Sequence, residues 1–243
     1  MTVLVISDLH LSPERPALTR AFCRFLTEKA RSAEALYILG DLVEAWVGDD
    51  DPSEFARDVK RALHLLVDSG TQVYFMHGNR DFLVGPHFAQ QVGAQLLPQE
   101  YVADIYGRRV LMLHGDTLCT EDLSYQRFRR FIRNPVVMWI LRRLPLRRRQ
   151  NLAANLRRRS QSANSNKADS IMDVSAEAVE RTLRRHNVSI MVHGHTHRPG
   201  VHQLRNPAAC RIVLGDWEEE GWYLEFSPAE PQPRLVSFPI PTL

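Results

Sequence analysis

Short apolar runs alternate with helical stretches through the first half of the chain. Val3 to Ile6, Ala35 to Leu39, Gln72 to Met76 and Val110 to Leu113 have the length and aliphatic content of buried strands. Between the first three lie helical patterns near Ala17 to Arg31 and Pro52 to Asp68, the second with Pro52 in its first turn and Gly70 past its end. Such alternation predicts parallel strand pairing through right-handed crossovers. Tyr101 to Ile105 and Arg109 to Leu113, joined around Gly107-Arg108, predict a hairpin. A helix near Ser175 to Arg185 leads into a strand at Val188 to Val192. The tail, with Val201 to Leu204, Arg211 to Leu214, Gly221 to Phe226 and Leu235 to Phe238, predicts antiparallel strands of a second sheet. The expected fold is α/β, with two sheets between helical layers.

One stretch breaks this rhythm. From Glu121 to about Lys167 the pattern is helical and interrupted at Asn134-Pro135 and Leu144-Pro145, with Phe128, Phe131, Ile132, Val136, Val137, Ile140, Leu141 and Leu144 at helical spacing. We expect a single domain over residues 1–243 with a helical insertion at about 121–168, since 243 residues at 44% hydrophobic suit one substantial core. Charge sets the insertion apart as well. Between Leu123 and Ala168 stand twelve arginines and Lys167 with no acid, so removing those thirteen cations from the net +3 leaves −10 for the rest. A basic segment on an acidic body is expected to meet phosphates of nucleic acid, lipid head groups or a charged substrate, and composition alone does not choose among them. Cys23, Cys119 and Cys210, an odd number without paired spacing, fit a reducing cytosol. The amino terminus lacks the basic region of a signal peptide, and its apolar run is far too short to span a bilayer.

Candidate chemistry sits where the strands end. Asp8-Leu9-His10, Gly40-Asp41, Gly78-Asn79, His114-Gly115-Asp116 and Gly194-His195-Thr196-His197 each follow an apolar run. In open α/β sheets, sites form at the carboxyl ends of strands. Alone, an Asp-x-His or His-x-His is usually a surface turn; five such pieces, each after a strand, point to a two-metal phosphoesterase. Carboxylate, carboxamide and imidazole donors without cysteine suit Mn²⁺, Fe or mixed borderline divalent metals. Asp41 is the natural bridge, holding two cations roughly 3.5–4 Å apart to clamp an in-line phosphoryl transfer. We assign Asp8, His10, Asp41 and His197 to one metal, and Asp41, Asn79, His114 and His195 to the other. Asp81 and Asp116 are expected to orient ligands. His64, His87, His186 and His202 lie outside the constellation, and His77 and His193 alternate away from it.

In these blocks the chain resembles the calcineurin-like metallophosphoesterase superfamily over nearly its whole length. The resemblance implies a sandwich of two mixed sheets flanked by helices, here with a helical cap. One block departs: where the superfamily has G-N-H-D, this chain has Gly78-Asn79-Arg80-Asp81. The missing His usually protonates an alkoxide, whereas arginine supplies charge without a transferable proton and therefore suits a phosphate leaving group. The alternative role for Arg80 is a salt bridge to Asp81.

Gly40-Asp41-Leu42-Val43-Glu44-Ala45-Trp46-Val47-Gly48-Asp49-Asp50 and Asn79-Arg80-Asp81-Phe82-Leu83 further resemble the UDP-2,3-diacylglucosamine pyrophosphohydrolase family of lipid A biosynthesis. That resemblance implies two Mn²⁺ per subunit, water attack on the α-phosphorus, and release of UMP and 2,3-diacylglucosamine 1-phosphate at the cytoplasmic face of the inner membrane. It places the chemistry on Asp41, Asn79, Arg80 and His195, and the substrate contacts on Asn79, Arg80, Asp122, Ser160, Asn164, Lys167 and His195. Ser160, Asn164 and Lys167 fall at i, i+4 and i+7, one polar stripe if that segment is helical. Tyr125 and Phe128 are expected in the wall of an acyl trough. Arg142, Arg143, Arg147, Arg148, Arg149, Arg157, Arg158 and Arg159 could rest on anionic lipid as a peripheral attachment. The rival readings are a nuclease-like phosphodiesterase and a scaffold that has lost its metals. No nucleic-acid partner is expected, because the insertion lacks an aromatic groove for stacking bases, and no ligand position is broken. No obligate protein partner is evident.

Overall fold

The computed structural model describes residues 1–164, 173–205 and 208–241, with only the backbone described over 159–164. Four short strands start the chain's main sheet: β1 (Val3–Ile6), β2 (Ala35–Ile38), β3 (Gln72–Phe75) and the two-residue β4 (Gln95–Leu96), paired in parallel. Every residue of β1 and β2 is buried, as strands covered on both faces must be. Their side chains divide by alternation. Leu4, Ile6, Leu36 and Ile38 join one apolar cluster, whereas Val3, Val5, Ala35 and Tyr37 join a second one shared with the other sheet.

The crossovers are α1 (Pro16–Glu28), α2 (Glu54–Asp68) and α3 (Pro86–Val92). α1 buries Leu18, Ala21, Phe22, Phe25 and Leu26, a stripe repeating at three and four residues that packs in the first cluster. Each leucine and phenylalanine of the stripe contributes roughly 1.5–3 kcal/mol by burial. α2 begins two residues later than the expected Pro52, because Ser53 is the N-cap and its hydroxyl accepts from Ala56 N at 3.2 Å. Pro52 thus precedes the cap instead of occupying the first turn.

The second sheet starts with the expected hairpin, β5 (Glu100–Ile105) and β6 (Arg108–Leu113). It continues through β7 (Ile190–His193), β9 (Cys210–Val213) and β8 (Gly200–Gln203), in the order β5-β6-β7-β9-β8. Here the structure corrects the sequence expectation. The tail does not form one antiparallel second sheet: β7 pairs with β9 in parallel, and β10 (Glu220–Phe226) with β11 (Arg234–Pro239) returns to the first sheet, β10 lying antiparallel to β1. Val3 pairing with Phe226 is a contact between chain ends that no local pattern encodes.

Between β6 and β7 come α4 (Leu123–Ile132), α5 (Pro135–Arg143), α6 (Leu146–Asn164) and α7 (Ala176–His186). The breaks fall at the two Asn-Pro and Leu-Pro steps, with Asn134 capping α5 through its side chain to Val136 N at 2.9 Å. Ile132 and Leu141 are buried in the first cluster, with Val137, Met138, Leu144 and Leu152 packed against it. The inner face of the cap therefore continues the body's core, whereas Phe131 (63%) and Trp139 (55%) stay exposed on its outer side.

Candidate metal centre

Five loops at the carboxyl ends of β1, β2, β3, β6 and β7 deliver the candidate ligands, which is what the order of apolar runs requires. Their backbone is unusual. Asp8, His10, Asp41, His195 and His197 have φ of 57°, 49°, 51°, 69° and 55°, so five of the seven non-glycine residues with positive φ among the described residues are candidate ligands. Each such conformation costs about 1–3 kcal/mol and persists where surrounding contacts over-determine it. The loops also approach so closely that a Cβ on Gly78 would fall on Asp41 Oδ1, and one on Gly194 on Asp8 Oδ2. Glycine at these two places makes room for a carboxylate.

The side chains converge. His10 Nε2 and His197 Nε2 face each other at 3.4 Å, and His197 Nε2 is 3.4 Å from Asp8 Oδ1. Asp41 Oδ2 lies 4.0 Å from His10 Nε2 and 3.8 Å from His114 Nε2, between the imidazoles of the two expected halves. Asn79 Oδ1 is 2.9 Å from His114 Nε2 and 3.0 Å from His195 Nδ1. Among the described residues, two groups of carboxylates and imidazoles have donor atoms close enough to share one ion: Asp8, His10 and His197, and Asp8, Asp41 and His114. Asp8 thus stands between the groups beside Asp41, a position the sequence assignment to one metal does not anticipate.

The donor set fits divalent cations. Asp8 and Asp41 are buried, and Asp8 Oδ1 and His10 Nδ1 are buried atoms without a hydrogen-bond partner. Burial disfavours an imidazolium at His197, yet the carboxylates of Asp216 and Asp8, each 3.4 Å from a ring nitrogen, outweigh it and raise the group to about 10. Burial likewise opposes Asp8, but His197, His114 and His10 together hold its carboxyl well below the usual range. Buried carboxylates in this setting call for nearby positive charge, which a divalent cation supplies, and imidazoles bind such a cation in their neutral form.

Orienting contacts complete the site. His114 Nδ1 donates to Leu39 O at 2.8 Å, turning Nε2 inward. Ser7 Oγ donates to Asp8 Oδ2 at 2.5 Å, and His195 N donates to the same oxygen at 2.8 Å. Asp216 Oδ2 faces the outer nitrogen of His197 at 3.4 Å and was missed from sequence, although Ile212-Val213-Leu214-Gly215-Asp216 repeats the apolar-run-Gly-Asp signal of Asp41. Glu44 was missed too: Oε2 lies 3.4 Å from His10 Nδ1, outside hydrogen-bond geometry, and Oε1 lies 3.7 Å from Arg80 Nη1.

Several expectations need correction. Arg80 does not pair with Asp81. Asp81 instead accepts from Gly78 N at 2.7 Å and Leu42 N at 2.9 Å, knitting together the loops that carry Asn79 and Asp41 without touching a ligand side chain. Asp116 binds the cap, accepting from Tyr125 Oη at 2.9 Å and Arg129 Nε at 2.6 Å. Arg149 is not available to lipid: it is buried, donating to Asp50 and to the carbonyls of Val47 and Leu144. Of the apolar cap residues at helical spacing, Ile132 is buried but Phe131 is exposed. His77 and His193 bond backbone carbonyls, of Val84 and Gly194, as their alternation implied.

A cavity of about 250 Å³ opens at this site, lined by His10, Asp41, Asn79, Arg80, Asp122, Tyr125, His195 and His197. Tyr125 stacks on His195 with centroids 6.0 Å apart, and Asp122 caps α4, its Oδ1 accepting from Tyr125 N at 3.0 Å. Ser160 and Asn164 lie on α6 but their side chains are outside the described residues, as is Lys167 altogether. A larger cavity, about 760 Å³, lies at the opposite end of the second sheet near Arg109 and Leu204 and contains none of the candidate residues.

The comparisons agree with this geometry. The sequence profile of the calcineurin-like phosphoesterase family matches residues 1–199. Among solved structures, an archaeal phosphodiesterase superposes with a TM-score of 0.52 at 12% identity, covering 98% of this chain and 100% of that one, a likeness of fold alone. The UDP-2,3-diacylglucosamine hydrolase of Serratia proteamaculans is 52% identical over 242 residues, covering 99% of this chain and 100% of the relative. That of Pseudomonas aeruginosa is 53% identical over 227 residues, covering 93% and 95%. With two mixed sheets, a donor set suited to divalent metal and relatives matched along nearly their whole length, the chain belongs to the calcineurin-like phosphoesterase family, within the group of UDP-2,3-diacylglucosamine hydrolases.

Proposed function

We propose that this chain is a metal-dependent hydrolase that cleaves the pyrophosphate bond of UDP-2,3-diacylglucosamine by water attack on the α-phosphorus, giving UMP and 2,3-diacylglucosamine 1-phosphate in lipid A biosynthesis. The substrate follows the names of relatives at about half identity over nearly the full chain. The observation that carries the chemistry is the place of Arg80. It lines the cavity beside the carboxylate-imidazole cluster, and its backbone N–H donates to Asp41 Oδ1 at 2.8 Å. A guanidinium there neutralises charge on a departing phosphate, which needs no proton to leave, and does not supply the proton an alkoxide needs.

In this reading Asp8, His10, Asp41 and His197 hold one Mn²⁺, and Asp41, Asn79, His114 and His195 the other. Two such cations, when bound, lower the pKa of water and neutralise the transferring phosphoryl group. The protein's own part is positional. Leu39 O fixes the His114 ring, Asp216 the His197 ring, and the Asn79 carboxamide stands between His114 and His195. Asp122, Tyr125, Ser160, Asn164 and Lys167 bind the substrate, with Tyr125 held by Asp116 against His195.

Peripheral attachment to the cytoplasmic face of the inner membrane belongs to the same reading. Among the described residues no helix is long and apolar enough to cross a membrane. The cap instead exposes Phe131, Val136, Trp139 and Ile140, with Arg143 over the Trp139 ring at 3.8 Å. Apolar side chains edged by arginine suit an anionic lipid surface. Binding to liposomes is expected to weaken as salt rises; salt-insensitive binding would make insertion of the apolar side chains the main contribution. The direct test of function is release of UMP from UDP-2,3-diacylglucosamine by the Mn²⁺-loaded protein, lost on chelation. Preferential cleavage of phosphodiesters would favour the nuclease-like alternative.

A further inference from the structure

Glu44 occupies an odd position for a residue outside the expected ligand set. Its backbone N donates to Leu11 O at 2.9 Å, which ties it to the loop carrying His10, and its carboxylate is largely shielded from solvent. Three cationic or potentially cationic groups converge on that carboxylate. Arg157 Nε of α6 reaches Oε1 at 2.9 Å, Arg80 Nη1 lies 3.7 Å from the same oxygen, and His10 Nδ1 lies 3.4 Å from Oε2. Arg80 comes from the loop after β3 and Arg157 from the cap, so two parts of the molecule meet on one carboxylate oxygen.

This link differs from the other pins between cap and body. Arg149 is buried and grips Asp50 with both terminal nitrogens, while Arg129 holds the buried Asp116. Arg157, in contrast, is 43% exposed, and Arg80 keeps a buried Nε without a hydrogen-bond partner. Two guanidinium groups brought together without an anion would repel; Glu44 removes that repulsion while leaving donor capacity unspent beside the cavity. A planar guanidinium with free donors is suited to a phosphate oxygen.

We propose that Glu44 is a positioning residue that seats α6 on the body through Arg157 and, through the same oxygen, aims Arg80 at the anionic part of the substrate. The inference rests on the reading of Arg80 as an anion-binding group. It makes cap seating and arginine orientation a single coupled property. Glu44 itself touches no reacting atom.

The test compares Mn²⁺-loaded wild type with Glu44→Gln, Glu44→Ala, Arg157→Ala and the Glu44→Ala/Arg157→Ala double variant. Amide hydrogen exchange over residues 150–158 is expected to speed up in both Ala single variants, with no further gain in the double variant. In kinetics with UDP-2,3-diacylglucosamine, Glu44→Ala is expected to raise KM about tenfold, the size of one charge-assisted contact, and to lower kcat in the same direction as Arg80→Ala but by less. Glu44→Gln, which keeps the shape and one acceptor, should restore part of the KM loss. Metal content should stay at the wild-type level in every variant. Loss of metal from Glu44→Ala or Glu44→Gln would overturn the proposal, since the residue would then act through His10. Unchanged exchange in α6, or additive effects of Glu44→Ala and Arg157→Ala, would overturn it equally. If wild type released no UMP, the function would fall while the exchange comparison still decided the coupling.

Discussion

The body and the cap use charge in opposite ways. In the body, two buried carboxylates, Asp8 and Asp41, are surrounded by imidazoles and backbone N–H donors, on loops held in left-handed conformations by neighbouring strands. In the cap, cations from α4, its C-terminal cap residue and α6 reach down as separate pins: Arg129 to Asp116, Arg133 to Gly78 O, Arg149 to Asp50 and Arg157 to Glu44. Tyr125 and Gln126 add polar contacts to the loop of Asp116, and apolar packing completes the seat on one side only, with Phe131 and Trp139 exposed on the other. A rigid centre that sets phosphorus chemistry is thus roofed by a layer attached through a few identifiable contacts. The excess of +13 in the insertion against −10 elsewhere is in part this acid-base fit between layers.

The sharpest way to break the comparison is within the body. Asp41→Ala is expected to abolish turnover and release metal from both sites, because Asp41 Oδ2 stands between imidazoles of each half. Arg80→Ala should lower turnover by about 10²–10³, the loss of one preorganised charge-stabilising group, with metal retained. Metal analysis beside kinetics separates the two. Equal metal loss in both variants would show that Arg80 belongs to the ligand framework.

A smaller effect is expected one layer out. Asp216→Asn should cost roughly 10–100-fold in metal affinity, since the carboxylate fixes the His197 ring by its outer nitrogen. Metal titration of the apo protein measures it. An unchanged affinity would place Asp216 outside the centre.

The smallest effect concerns the cap. Arg149→Ala removes charge-assisted bonds to Asp50 and two carbonyls, but Asp50 is 65% exposed and is resolvated, so the cost is expected at about 1.5–3 kcal/mol at most. Hydrogen exchange should rise in α5 and α6 and stay unchanged in β1 and β2. Equal loosening of the central strands would mean that cap and body unfold together.

Which features were readable beforehand follows from their range along the chain. β1, β2 and the breaks at Pro135 and Pro145 are local patterns that appear within a residue or two of where the sequence puts them, while α1 ends at Glu28, three residues short of the expected Arg31. Asp8, His10, Asp41, Asn79, His114, His195 and His197 come together because each lies in a loop at the carboxyl end of a strand, after β1, β2 and β3 in one sheet and β6 and β7 in the other. α3 escaped notice because seven residues are too few to show a period; it is held from outside by Asp49, which accepts from Gly85 N and Phe88 N. The tail strands were assigned to the wrong sheet because the pairing of β10 with β1 joins residues more than 200 positions apart. Asp116 and Arg149 were misplaced for a related reason: a charged residue's partner across an interface leaves no periodic trace.

The central claim is that water attacks the phosphorus on the uridine side of the diphosphate. Hydrolysis of UDP-2,3-diacylglucosamine in ¹⁸O-water by the Mn²⁺-loaded protein, followed by mass analysis of both products, tests it directly. The account predicts label in UMP and none in 2,3-diacylglucosamine 1-phosphate. Label confined to the sugar phosphate would contradict it.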